Sequence, residues 1–405
     1  MVSSTIDHMV AVMAFLAATL LFIGLFNQTI QTGVIYQRHK ALATKASDLL
    51  DTILLNSGVP DDWGRMDGDP IVFGLQDRGG FTQYRLSPFS LMRLHSSLGS
   101  AVYYEKADMT YSNVTVGFGN CLLMPYDGVL NYSTALRLMG LNGSYGFQLA
   151  FTPMVNVSIA EEQTNPLKLA VNVSGIGFSL ASATLSYRLI AVVLNETQLR
   201  YLSGENYNGT VRLDDQGRVT VPFSLSVDEN VTYCFIAYAH LGGVTGVGAY
   251  VRESSSSSSV IPFVNSLASR EVILAHSADV PYTASFQEDL VYNATLVSAD
   301  ENWKVETLVL DGASGTVICG AGYAPGVITM PRNCSGTLAI AYKSAHGVGG
   351  FVLVPWGVGG FPVVFGDAPA KQEWVATDTR QVMVNGIAYQ AKLALWSLEG
   401  YQVVS

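Results

Sequence analysis

The sequence predicts a mainly β chain led by one long α-helix: a helical stalk, a small α+β head and two β-sandwich modules. Three observations carry this. Eighteen uncharged residues, Met9–Phe26, stand near the start and run into a further helix-patterned stretch. Short alternating apolar runs separated by Gly, Asn and Asp fill most of the remainder. Two blocks of those runs repeat one another in order. The boundaries read from this pattern are 1–60 for the membrane-length helix and stalk, 61–162 for the head, 163–253 for the first sandwich, 254–259 for a serine linker, and 260–405 for the second sandwich with a C-terminal hairpin.

Met9–Phe26 approaches the length that a helix rising 1.5 Å per residue needs to cross a hydrocarbon layer of about 30 Å. No Lys or Arg precedes it and no small-residue cleavage site follows, which argues against a secretory signal. From Asn27 to Asn56 there is no Pro, and Ile35, Leu42, Ala46, Leu49 and Ile53 fall on one helical stripe. Gly58 and Pro60 supply the stop. The whole element is expected as one helix of about 75 Å, half in lipid and half amphipathic. Arg38 and Lys40 follow the apolar run and would favour the cytoplasm for that side. The sequons described below favour the opposite orientation, and because the charge excess is small the expectation is N-terminus inside, C-terminus outside.

The stretch 61–70 carries Asp61, Asp62, Asp67 and Asp69 without the spacing of a calcium loop, and reads as a solvated joint. Ser87–His95 and Ser133–Met139 have helical spacing, whereas Tyr145–Phe151 and Val155–Ile159 alternate like strands. Leu167–Val173, Ala183–Ile190, Val219–Leu225 and Thr232–Tyr238 make the first sandwich. The repeat pairs Leu213–Val219 with Leu310–Val317, then Ile236–Tyr238 and Gly246–Val251 with Ile340–Tyr342 and Gly347–Val352. Ser254–Ser259 reads as a flexible linker. Gly347–Gly366 is uncharged over its length, but its seven Gly and two Pro argue for strand–turn–strand over a second membrane helix. Asn385-Gly386 between alternating residues marks a hairpin.

Asn-x-Ser/Thr occurs at Asn27, Asn113, Asn131, Asn142, Asn156, Asn172, Asn195, Asn208, Asn230, Asn293 and Asn333, eleven of the chain's eighteen asparagines. Chance would give about three, although turns also favour these residues. Asn27 abuts the membrane run; the other ten are the candidate glycosylation sites. Of the four cysteines, Cys319 and Cys334 close a short Gly- and Pro-rich loop, a candidate disulfide of about 3 kcal/mol. Cys121 with Cys234 would follow by elimination, though four cysteines allow three connectivities and buried thiols are the alternative.

With 22 Lys and Arg against 32 Asp and Glu, the net charge of −10 lacks the basic footprint of a nucleic-acid binder. No nucleophile, zinc or phosphate-loop motif surrounds His8, His39, His95, His240, His276 or His346. Gly243–Gly248 imitates a phosphate loop but leads into a strand pattern, so it is expected as a hairpin turn. The acidic pairs Glu161-Glu162 and Glu288-Asp289 are expected in surface loops. No catalytic residue, metal or cofactor is expected.

Ile6–Phe15 and Phe22–Gln28, an apolar half-helix running into an amphipathic one, resemble the N-terminal helix of archaeal type IV pilin-like proteins. In that family an acidic residue near the mature N-terminus is typical, a part Asp7 would take. The family's basic processing site has no counterpart before Ser3. Asp214–Val221 resembles the immunoglobulin-like repeats of surface adhesins. The resemblance implies a pilin-like stalk and immunoglobulin-like modules; one anchor, dense sequons and no catalytic motif make the expectation a single-pass, glycosylated surface protein with a structural or adhesive role. The expected partners are the lipid bilayer through residues 9–26, covalent N-glycans, and copies of itself or other surface-layer or pilus proteins. A pilus-like filament subunit and the ectodomain of a solute-binding receptor or surface enzyme are the alternatives.

Overall fold

The computed structural model describes residues 2–398 apart from 79–82, 95–101, 105–108, 117–119, 126–127, 142, 196–197, 253–259, 278, 280–287, 301, 333, 358 and 370–373. It is mainly β, 49% strand against 21% helix, with the helix concentrated at the N-terminus.

The leading helix α1 (Val2–Leu55) is unbroken. The hydroxyls of Thr19, Thr29, Thr32, Thr44 and Thr52 each donate to the carbonyl four residues back, at 2.7–3.1 Å, so they are satisfied within the helix. From Leu42 onward one stripe turns inward: Leu42, Ala46, Leu50, Ile53 and Leu54 are buried. The expected stripe is right in its period, but Leu49 is only half-buried and Ile35 is exposed. Past the helix end Gly58 takes φ +83°, where a Cβ would lie 2.7 Å from the Val72 carbonyl oxygen. Only glycine fits that stop.

Next come β1 (Arg85–Leu86), α2 (Pro88–Met92), a meander of β2 (Val102–Tyr104), β3 (Met109–Val116) and β4 (Asn120–Pro125), then α3 (Tyr132–Leu138) and β5 (Tyr145–Pro153). Ser87 caps α2 through the Ser90 N–H, and Asn131 caps α3 through the Ser133 N–H. The first sandwich contains β6 (Val155–Thr164), β7 (Leu167–Gly175), β8 (Phe178–Ser179), β9 (Thr184–Val193), β10 (Arg200–Leu202), β11 (Asn208–Arg212), β12 (Arg218–Pro222), β13 (Val231–Leu241) and β14 (Val244–Val251). The second contains β15 (Val260–Ser266), β16 (Glu271–His276), β17 (Leu290–Ala299), β18 (Val305–Val317), β19 (Gly326–Thr329), β20 (Gly336–Ser344) and β21 (Gly349–Trp356). The chain closes with β22 (Val363–Gly366), β23 (Ala376–Val384) and β24 (Ile387–Ser397).

The two modules share one topology. In the first, β6, β7 and β12 form one sheet and β11, β9, β13 and β14 the other. In the second, β15, β16 and β19 correspond to the former and β18, β17, β20 and β21 to the latter. The repeated Ile-Ala-Tyr therefore sits on equivalent strands, β13 and β20. The other repeated segment diverges. Leu213–Val219 makes the turn into β12, where Asp214 Oδ1 accepts from the N–H groups of Gln216 and Arg218, both at 2.8 Å. Leu310–Val317 instead stays in the long β18, which reaches β19 through the single pair Asp311–Thr329. The expected phosphate-loop mimic is a hairpin: Gly242 and Gly243 turn at φ +56° and +86° and β14 follows.

The linear domain order expected from the sequence is not what forms. β5 pairs with β24 over nine positions, from Tyr145–Ser397 to Pro153–Tyr389, and β22 pairs with the other side of β5. Residues expected in a head and in a terminal hairpin thus share one sheet, β1-β23-β24-β5-β22, with α1 packed on β23 and β24. Both sandwiches are inserted between β5 and β22. β6 joins the first sandwich, moving its start back to Val155, while β4 pairs parallel to β15 and lends the meander to the second. Among the described residues, no separate unit spans 61–162. The expected strand–turn–strand at Gly347–Gly366 does form, but β21 ends the second module and β22 re-enters the base.

Nor are the modules beads on a string. β13 is buried along Val231–Ala239 and β21 along its whole length, on both faces. One face of β13 serves its own core through Tyr233, Phe235 and Ala237, and the other joins Cys234, Ile236 and Tyr238 to the core shared with β21. The modules dock through these sheets; the serine linker lies outside the described residues.

Candidate membrane anchor and exterior surface

α1 divides into two parts. Over residues 6–36 its large apolar side chains, including Phe15 at 71% and Leu20 at 69%, are exposed. The most apolar 18-residue window has a mean hydropathy of 2.6 and none of it is buried within the fold. An apolar surface of this extent needs a covering phase. At 1.5 Å per residue, Met9–Phe26 covers about 27 Å, long and apolar enough to span a bilayer.

The distal part is gripped by the base sheet. Arg380 on β23 forks onto Asp51, Nε to Oδ1 at 2.8 Å and Nη2 to Oδ2 at 2.9 Å, with Nη2 also donating to Ser47 Oγ at 3.0 Å. Asp378 lies 2.8 Å from Nη1, and the Tyr84 hydroxyl donates to Asp51 at 3.1 Å. The hydrogen bond to Asp51 raises the Arg380 pKa further. Asp378 is held below the usual carboxylate range: partial burial pushes it up, but hydrogen bonds from Ser47, the Thr379 N–H and Arg380 outweigh that. Lys45 sits 3.7 Å over the Tyr145 ring, and His39 stacks on Trp374 at 4.0 Å.

Six of the eleven sequon asparagines are exposed among the described residues. Asn156 and Asn172 are exposed on one face of the β6–β7 pair, where Ser158 lies opposite Asn172 and Asn156 opposite Ser174. Asn208 on β11 and Asn195 just after β9 are exposed too. Asn131 is exposed at the α3 cap, its Oδ1 accepting from both the N–H and the hydroxyl of Ser133 at 2.9 and 3.0 Å. Asn230 is half-buried in a turn and Asn293 is half-buried on β17, which is paired on both sides. Asn113 lies on β3, its side chain outside the described set; Asn142 and Asn333 lie outside the described residues. Asn27 is exposed on α1.

The expected disulfides do not form among the described residues. Val317, just before Cys319, pairs with Leu290, whereas Thr337, just after Cys334, pairs with Val297. The two cysteines therefore flank opposite ends of β17, seven residues or about 23 Å apart at 3.3 Å per residue. That is far beyond the Cα separation of roughly 4–7 Å a disulfide spans. Cys334 is half-buried, and Cys319 is buried with its N–H donating to Asp289 at 3.2 Å. Cys234 is an unbridged thiol sealed in β13, and burial pushes its pKa up. Cys121 is on β4, in another sheet, its side chain outside the described set.

The other polar candidates take separate structural roles. Glu161 accepts from the Tyr233 hydroxyl while its neighbour Glu162 accepts from Thr220. Asp61 pairs with Arg78, Asp62 with Arg65, Asp67 accepts from Ser266 and Asp69 from Thr134. His240 stacks on Trp303 at 5.4 Å and bonds Thr245, and His346 lies 3.2 Å from Glu288. His276 is buried, which lowers its pKa against the pull of Asp279, Glu288 and Asp289. His95 lies outside the described residues. Among those described, no three His, Cys, Asp or Glu converge as a metal site.

One group that sequence reasoning misses is Arg93, wholly buried. Its guanidinium donates to the carbonyls of Gly128, Trp63, Met66 and Gly68, pinning the loop after α1. An arginine within SPFSLMRL gives no local signal of this. The Arg380–Asp51 clasp is equally silent, its halves being 329 residues apart.

No protein-family model and no curated protein matches the chain. Among solved structures it is similar to a Salmonella alpha-2-macroglobulin, at 12% identity and TM-score 0.19 over 67% of this chain and 19% of that one. It is also similar to invasin, a bacterial integrin-binding protein, at 9% identity and TM-score 0.17 over 59% of this chain and 54% of that one. A third, red sea bream transglutaminase, matches at 12% identity and TM-score 0.18 over 61% and 37%. The chain thus spans about a fifth to about a half of these proteins' lengths.

Proposed function

We propose that the chain is a non-enzymatic, single-pass surface protein, anchored by the first half of α1 and carrying two immunoglobulin-like modules with a structural or adhesive role. The N-terminus lies in the cytoplasm, and everything beyond the apolar run folds outside and bears N-glycans. The observation that carries this reading is the apolar window of α1, none of which the fold covers. The exposed sequons on β6, β7 and β11 support the exterior placement, since a glycan needs surface. Protease treatment of intact cells tests it: release of the region after Pro60 is expected, and protection of that region would refute the topology. Intact-mass measurement of the native protein tests the glycans.

A second reading is a type IV pilin-like filament subunit. It is favoured by Ile30, Val34, Ile35 and Tyr36, apolar or aromatic and exposed beyond the lipid-length window, and by the packing of the distal helix on the antiparallel β23–β24 pair. Copies of the chain would cover that stretch. Electron microscopy of sheared surface material decides between them: filaments containing this chain support the second reading, and their absence with membrane-bound monomer supports the first.

A further inference from the structure

Where the base meets the second sandwich, a cleft of about 250 Å³ is lined by Asp62, Arg65 and Phe89 on one side and by Arg270, Arg332 and Trp356 on the other. In a chain of net charge −10, three guanidiniums around one opening reverse the local sign. Among the described residues Asp62 is the single carboxylate lining it, 3.6 Å from Arg65, which also lies 4.4 Å over the Phe89 ring. Arg270 turns at φ +61° and its guanidinium makes one hydrogen bond among the described residues, Nη1 to the Met330 carbonyl at 3.1 Å. Arg332 is exposed and makes no ion pair or side-chain hydrogen bond with a described residue.

The walls are built, not incidental. Trp356 is 2% exposed and meets Phe89 edge-on at 5.7 Å, joining module to base across the floor. Ser266, close in sequence to Arg270, donates to Asp67 of the base at 2.9 Å. The backbone that carries the cations belongs to this joint, and Arg270 and Arg332 are short of acceptors among the described residues. Guanidinium forks match anions that present two or more oxygens in a plane or tetrahedron.

We propose that this cleft binds a multi-oxygen anion, a carboxylate, sulfate or phosphate, gripped by Arg270 and Arg332 with Arg65 facing them. Because its walls come from two parts of the molecule, the bound anion ties the second sandwich to the base and stabilises the junction by mass action.

The test uses the full chain in a neutral detergent, with sodium sulfate, sodium phosphate or sodium glucuronate titrated at constant ionic strength against sodium chloride, followed by calorimetry and by thermal melting. Saturable binding by at least one anion, with a rise in melting temperature beyond chloride, is expected. Arg332→Ala should weaken it about tenfold, the loss of one charge-assisted contact, and Arg270→Lys should weaken it by removing the fork. Since Arg332 has no polar partner among the described residues to strand, R332A should melt like the parent in chloride alone, which separates lost binding from lost folding. Response to sulfate and phosphate alone assigns a tetrahedral group, and response to glucuronate assigns an acidic sugar. No saturable response above chloride, or equal binding by R332A, overturns the proposal.

Discussion

What holds the stalk to the base can be decided by comparing Leu50→Ala with Arg380→Ala. Leu50, Ile53 and Leu54 are 0%, 1% and 0% exposed. At about 2–3 kcal/mol per buried side chain, they contribute roughly 6–9 kcal/mol as an upper bound. The Arg380–Asp51 fork is partly wet, its side chains 24% and 36% exposed. Its charge-assisted bonds are accordingly discounted to about 1–2 kcal/mol. Leu50→Ala should therefore cost about 3 kcal/mol, cavity included, and accelerate hydrogen exchange at the distal α1 amides about 150-fold. Arg380→Ala should accelerate it only about 5–30-fold. Exchange mass spectrometry of the detergent-solubilised chain reads both. Should Arg380→Ala strip more protection than Leu50→Ala, the clasp and not the apolar stripe holds the helix, and the reasoning from burial is refuted.

Acidification should loosen the same junction. The Asp378 pKa is depressed in the fold, so its contribution is complete above the unfolded value of about 3.9 and is lost as pH falls below that, through the folded pKa; a melting series from pH 6 to pH 2 reads it. Under denaturing, non-reducing peptide mapping, no 319–334 cross-link should appear, and in the native state a thiol reagent should label Cys334 well before the buried Cys234. Gly386→Ala should destabilise the β23–β24 hairpin by more than about 1 kcal/mol: φ is +77° and the new Cβ would lie 2.4 Å from the Trp303 ring, so a shift in tryptophan emission should accompany the lower melting temperature. Asn156→Gln and Asn172→Gln should each remove one glycan mass without changing the melt, while Asn293, half-buried on a strand paired on both sides, should show lower occupancy.

The helix, the strands and the Asn385-Gly386 turn were legible because each is specified within a few residues, by apolar period or by a turn's need for positive φ. The twofold repeat was legible because Ile-Ala-Tyr recurs on equivalent strands, β13 and β20, in the same order, although the Leu213 and Leu310 segments fall in different places. The insertion was not, since Tyr145–Phe151 and Ile387–Trp396 look like any two half-buried strands and nothing local says that they pair. The same distance hid the Asp51–Arg380 clasp and the arginine cleft. Cys319 and Cys334 misled for the converse reason: fifteen residues that contain a strand and pass between sheets carry the chain away, whereas loop arithmetic assumes a flexible return.

The placement of both sandwiches between β5 and β22 bears on how the molecule would carry tension. The chain leaves the base at Pro153 and re-enters at Val363, at the same end of an adjacent antiparallel pair. A pull on the outer modules along the strand axis enters β5 at that end and is resisted by the nine-position ladder with β24, loaded in shear so that its rungs share the force. From β24 the load passes through the sheet to α1, so a tug on the modules would reach the apolar half of the helix sideways, through the sheet.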